Sequence, residues 1–231
     1  MQACKGVAVL PLCWCLFVFS DKVITMNWQD FTAFLVLATA MSFSPGPNTT
    51  LSTALAANHG LRRAMPFVCA VPVGWGALLG LCALGLGALV VAVPLLSWAV
   101  KLLGVGYLLW LAFRLAFKTP PVPIGTPTAA GPVVTFWQGA ALQFVNIKAW
   151  MLALSIVSGW IAGQAYAPLR FAIVLPVMLV FAFVSNLVYA LVGALLRTWL
   201  AGPHGTGARL VAFNRVMAAV LVVTAGWMAL V

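Results

Sequence analysis

The 231-residue chain is 65% hydrophobic and 6% charged with a formal net charge of +10, and its recurrent apolar runs of about twenty residues exclude a soluble globular domain. Its twelve Lys and Arg stand singly or in pairs, nearly all at the ends of those runs, which marks topology signals and anionic-lipid contacts and argues against nucleic acid. Acidic residues are confined to Asp21 and Asp30, and the five cysteines (Cys4, Cys13, Cys15, Cys69, Cys82) have no histidine at ligand spacing, so neither a metal site, a cofactor nor a disulfide framework is expected.

Residues 1–25 come first. Lys5 precedes an apolar run, Val7 to Ser20, that is short for a span and is not followed by an A-x-A cleavage site. Three readings stay open: an uncleaved hydrophobic extension, a cleaved leader, or a start assigned upstream of a true initiator at Met26. From Met26 on, apolar helical runs lie at about 30–57, 64–90, 95–117, 136–162, 170–196 and 210–231, each near the roughly twenty residues a bilayer requires. The expected fold is an all-α membrane protein of six transmembrane helices. Residues 26–117 and 136–231 are its three-helix halves. Between them, the prolines at 120, 121, 123, 127 and 132 with Gly125 and Gly131 make 118–135 a surface linker.

Charge sets the orientation. Arg62, Arg63, Arg114, Lys118, Arg197 and Arg209 fall in alternate connections, while Lys22, Lys101 and Arg170 fall on the other side. The positive-inside rule then puts both termini outside. Three spans per half give the halves opposite orientations, a 3+3 inverted repeat. Ser42 to Asn48 in the first span matches Gln143 to Ala149 in the fourth, so polar interruptions recur where a midplane site is built.

Pro45 and Pro47 lack backbone N–H groups and disfavour helical geometry at Ser44 and Gly46, so the first span is expected to break at Ser44-Pro45-Gly46-Pro47. The break frees carbonyls on the Phe43 side and N–H groups from Asn48 to Thr50, none of which can stay bare in hydrocarbon. Helix N-termini attract anions and exposed carbonyls attract cations. An α-amino acid carries that pair of charges, and a substrate site at Ser44, Pro45, Gly46, Pro47, Asn48 and Thr49 is expected.

Lys148 falls near the middle of the fourth span, where insertion scales charge about 2.5–3.5 kcal/mol for a cation. No carboxylate follows Asp30. Its partners are therefore freed carbonyls or a substrate carboxylate, unless desolvation leaves the amine neutral. Asn146 adds a donor and an acceptor beside it. Ser185, Asn186 and Tyr189 in the fifth span line a cavity or bond between helices. Gly76-x-x-x-Gly80 and Gly159-x-x-x-Gly163 read as close-packing faces, within one chain or in a homodimer, His59 and His204 as solvated loop residues, and Trp28, Trp98, Trp160 and Trp199 as interface anchors.

These residues resemble the LysE type of amino-acid exporters, which includes lysine, homoserine and threonine efflux proteins. The likeness runs from about Met26 to the C-terminus through Ser44-Pro45-Gly46-Pro47-Asn48, Gly60-Leu61-Arg62-Arg63, Gly104 to Leu111, Phe136-Trp137-Gln138-Gly139 and Asn146-Ile147-Lys148. It implies proton-driven export of a small amino acid or derivative from a bacterial cytoplasm across the inner membrane. Two positions depart from the pattern. Ile147 stands where the family usually has proline, which weakens the second break, and Asn48 stands where many members carry Asp, which removes a proton-carrying carboxylate.

The expected function is a secondary exporter working by alternating access, with an uncoupled channel or facilitator, or a non-transporting membrane assembly partner, as alternatives. An enzyme is disfavoured, since paired carboxylates, ligand clusters and nucleophile–base arrangements are lacking.

Overall fold

A computed structural model describes residues 26–117, 134–202 and 207–230; the 1–25 extension, Lys118, nearly all of the linker and His204 lie outside the described residues. Every element described is helical: α1 (Trp28–Phe43), α2 (Pro47–His59), α3 (Leu61–Ala83), α4 (Leu86–Ala92), α5 (Pro94–Phe117), α6 (Phe136–Val145), α7 (Ile147–Ile156), α8 (Ala167–Ala201) and α9 (Ala208–Leu230).

Local sequence explains where these helices start and stop. The Asn27 side chain caps α1 by accepting from the Gln29 N–H at 3.3 Å, and Thr135 with Gln138 forms a reciprocal capping box on α6. Gly60 joins α2 to α3 at φ +84°, a conformation that side chains with a β-carbon resist. The apolar run expected to span 64–90 stops at Ala83, because Gly85 takes a left-handed turn (φ +92°) before the short α4. The fifth span is longer than expected. Its 35 residues reach about 50 Å at 1.5 Å per residue, past the hydrocarbon core.

Among the described residues, α3, α5, α8 and α9 are long and apolar enough to cross a membrane, and α6 with α7 and the π-helical turn Val157–Ile161 that continues it makes a fifth such unit bent by 68°. The first expected span has a different character. Its halves are 16 and 13 residues long, and α2 carries Thr49, Thr50, Ser52, Thr53 and Asn58 on buried positions. The polarity that lowers its hydropathy is held inside the protein. Helix α2 packs chiefly against α8 and then α3, and α5 pairs with α9. One apolar cluster centres on Phe67, Val68, Leu108 and Leu221, the other on Phe34, Leu78, Ile156 and Met178.

Close approach, not the expected glycine pairs, sets these crossings. A β-carbon at Gly74 would run into the Ala140 carbonyl, one at Gly104 into the Val145 carbonyl, and one at Gly193 into the Thr53 carbonyl. Within the chain, Gly76 abuts Leu179, but at Gly80, Gly159 and Gly163 a β-carbon would meet nothing within 4 Å. Trp28, Trp98 and Trp199 are exposed, and Lys101 and Arg209 sit over the Trp98 and Trp199 rings at 5.1 Å each. Trp160 differs, donating its indole N–H to the Asp30 carbonyl at 2.9 Å.

Because helix backbones cannot easily separate in a packed bundle, Gly74→Ala is expected to cost about 1–3 kcal/mol. Gly80→Ala on the same helix is expected to leave stability unchanged. Thermal unfolding of the purified variants in detergent checks this; equal midpoints would show that the crossing is loose.

Candidate functional site

Two broken helices meet at the centre of the bundle. Helix α1 ends at Phe43, Ser44 and Gly46 are extended, and Pro47 opens α2 as its first residue. Side chains satisfy the Phe43 and Ser44 carbonyls and the Gly46 N–H at this break. Tyr189 donates its hydroxyl to the Phe43 carbonyl at 2.8 Å, and the Gly46 N–H donates to Thr49 Oγ1 at 2.9 Å. Lys148 Nζ donates to the Ser44 carbonyl at 2.9 Å and to Ser44 Oγ at 2.7 Å. Gly46 makes room for it, since a β-carbon there would lie 3.2 Å from Lys148 Nζ.

The second break forms without a proline. Asn146 is extended (φ −92°, ψ 101°) between α6 and α7, and Ile147 occupies the first position of the new helix. The Trp150 indole N–H donates to the Phe144 carbonyl at 2.8 Å, so an aromatic donor covers an exposed carbonyl here as Tyr189 does at Phe43. Proline is therefore dispensable where a side-chain donor rewards the open conformation.

A cavity of about 60 Å³ lies between the breaks, several times the room one water needs. Gly46, Pro47, Asn48, Thr49, Asn146, Lys148, Ser185 and Asn186 line it. Ser44 reaches it only through Lys148, Pro45 is exposed, and Tyr189 stays outside the lining. Apolar walls come from Met41, Val71, Trp75, Leu152 and Met178. The N-termini of α2 and α7 both open on this space, so its electrostatics favour an anionic group beside Lys148.

Sequence reasoning did not single out Gln143 as a site residue. It is fully buried and forms a reciprocal amide pair with Asn48: Asn48 Nδ2 donates to Gln143 Oε1 at 2.8 Å, and Gln143 Nε2 donates to Asn48 Oδ1 at 3.2 Å. An aspartate at position 48 could not make the first of these bonds. The signal available was an amide side chain in an otherwise apolar run, three residues before Asn146. Also missed were Ser52, donating to Asn186 Oδ1 at 2.8 Å, and the buried Asn58–Asn214 pair, at 2.7 and 2.9 Å. His59, expected in a solvated loop, is instead the last residue of α2 and lines a second cavity with Asn58 and Arg114.

The profile of the LysE type translocator family matches residues 39–230. The chain belongs to this family. A cysteine/O-acetylserine efflux protein of Klebsiella pneumoniae is 29% identical over 164 residues, covering 71% of this chain and 82% of that protein. A protein of the same name from Escherichia coli is 31% identical over 140 residues, covering 59% and 68%, and one from Salmonella choleraesuis is 28% identical over 165 residues, covering 71% and 82%. No solved structure matches the chain. As a LysE-type translocator it is a multi-pass protein of the bacterial inner membrane and a transporter rather than an enzyme.

The Asn48–Gln143 pair ties the first break of this translocator to the second, and truncating one partner strands the other. Asn48→Leu and Gln143→Leu are each expected to lower stability by about 1–3 kcal/mol. The double variant should lose less than the sum by at least about 0.5 kcal/mol. Unfolding midpoints of the four proteins measure that coupling, and strict additivity would mean the pair is not formed.

Proposed function

We propose that the chain is a secondary transporter that exports an amino acid or amino-acid derivative across the cytoplasmic membrane by proton-coupled alternating access. The observation that carries this reading is the bond from Lys148 Nζ to the Ser44 carbonyl and hydroxyl, which joins two broken helices across a polar cavity. Ser44, Pro45, Gly46, Pro47, Asn48, Thr49, Asn146 and Lys148 form the proposed substrate site, with Ser185, Asn186 and Tyr189 around it. The names of the relatives, cysteine/O-acetylserine efflux proteins, suggest small neutral amino acids as first cargo to assay.

Alternating access needs two halves that can exchange packing. The proposed plan is six spans in a 3+3 inverted repeat, with α1–α2 and α6–α7 as the broken first span of each half. Matched interruptions at Ser44 and Asn146, each with an aromatic donor on a nearby Phe carbonyl, support it. A substrate carboxylate that draws Lys148 away from Ser44 would untie the breaks and permit the switch. Protons, if they drive it, pass through Lys148, a tyrosine or water, since the chain has no acidic residue after Asp30.

Counterflow in proteoliposomes separates a carrier from an uncoupled facilitator. Unlabelled cysteine inside should accelerate entry of labelled cysteine, and a simple pore gives no acceleration. In cells, Lys148→Ala is expected to abolish cysteine efflux at near-normal membrane levels; unaltered efflux removes Lys148 from the mechanism. The double variant Pro45→Ala, Pro47→Ala should heal the first helix and lower transport, and wild-type rates would sink the broken-helix account.

A further inference from the structure

The carboxylate end of a zwitterion has an evident place beside Lys148, but the ammonium end has lost the place that the sequence suggested. Freed carbonyls of the first break were the expected acceptors. In the structure the Phe43 carbonyl takes the Tyr189 hydroxyl and the Ser44 carbonyl takes Lys148 itself. The side-chain oxygens of Asn48, Gln143 and Asn186 also accept already, from Gln143, Asn48 and Ser52 respectively.

One acceptor, on a side chain that lines the cavity, stands apart. Asn146 is 4% exposed, lines the cavity, and its Oδ1 has no hydrogen-bond partner. A buried amide oxygen left bare is costly, on the scale of a lost hydrogen bond with its full desolvation. Asn146 and Lys148 line the same cavity where α6 turns into α7, so a donor bound at one and an anion bound at the other can belong to one small molecule.

We propose that Asn146 Oδ1 receives the α-ammonium of the cargo, so that the transporter requires a free amino group and accepts zwitterions whose side chain is small and uncharged. This rests on the reading of the chain as an amino-acid exporter. The side chain of such a cargo faces Trp75, Leu152 and Met178, where a cationic side chain would have no carboxylate to meet, because none follows Asp30 in the sequence. Lysine is therefore excluded by the same site.

Three loads inside proteoliposomes containing the full chain test this, each against labelled L-cysteine outside under reducing conditions. Cysteine inside should accelerate entry, whereas 3-mercaptopropionate, which keeps the carboxylate and thiol but lacks the amine, should be weaker by at least about tenfold, the scale of one buried unpaired acceptor. Lysine inside should give no acceleration. In Asn146→Leu the preference for cysteine over 3-mercaptopropionate should fall to within about threefold, and Asn146→Ser, which restores an oxygen, should recover part of it. Equal exchange of cysteine and 3-mercaptopropionate by the wild-type protein overturns the assignment of Asn146 while leaving amino-acid transport standing. Absence of exchange with any amino acid overturns the transport reading, and the assignment with it. The wild-type comparison decides even where Asn146→Leu fails to fold.

Discussion

A carbonyl exposed at the end of a helix inside a bilayer has no water to bond, and leaving it bare costs several kcal/mol. Every feature of this site follows from how the chain meets that cost at two points. At Phe43 and Ser44 the donors are a tyrosine from α8 and a lysine from α7; at Phe144 the donor is a tryptophan on α7. Each donor fixes a neighbour. Tyr189 holds α8 against the first break, and Lys148 holds the second break against it, so the interruptions become joints between helices.

Lys148 illustrates how a buried cation can be held without a carboxylate. A cation near the bilayer midplane is tolerated when it has acceptors, and here these are a hydroxyl and a carbonyl rather than a carboxylate. Neutral acceptors hold an ammonium less tightly than an anion does. The same lysine paired with Asp or Glu would be held more tightly than Ser44 holds it. With no acidic residue after Asp30 in the sequence, neutral groups stand where a counter-ion would.

Much of this was legible in the sequence, for physical reasons that differ by residue. Pro45 and Pro47 broadcast the first break because proline removes a donor and restricts its neighbour regardless of context. Lys148 was conspicuous because a charge in an apolar run has so few explanations. The second break was harder to foresee. Ile147 is a good core residue and gives no stop signal, and the conformation of Asn146 is held by Trp150 and by packing, neither of which spacing reveals. Gln143 was hidden differently. Its role exists only in the pairing with Asn48, 95 residues away in sequence, and single-residue reading is blind to such pairs. The backbone crossings were hidden for a related reason: the pattern Gly-x-x-x-Gly identifies a face, and Gly76 does abut Leu179, but Gly74, Gly104 and Gly193 are placed by which backbone crosses them.

The polarity of the first span has a consequence for how such a protein enters and holds in a membrane. Helix α2 would be a poor transmembrane segment alone, since Asn48, Thr49, Thr50, Ser52, Thr53 and Asn58 crowd thirteen residues. Thr49 and Thr53 find acceptors locally, on the Gly46 and Thr49 carbonyls, but Asn48 pairs with Gln143, Ser52 with Asn186 and Asn58 with Asn214. Those three pairs bring α2 to α6, α8 and α9, so its polar face is satisfied only when those helices are in place. A helix that is costly in lipid and comfortable in the bundle acts as a specificity device: it disfavours loosely assembled states more than it stabilises the final one. Helix α2 is thereby bound to α6, α8 and α9 by polar contacts inside the bundle, so the order in which these helices can assemble is constrained by side chains that lipid could not satisfy.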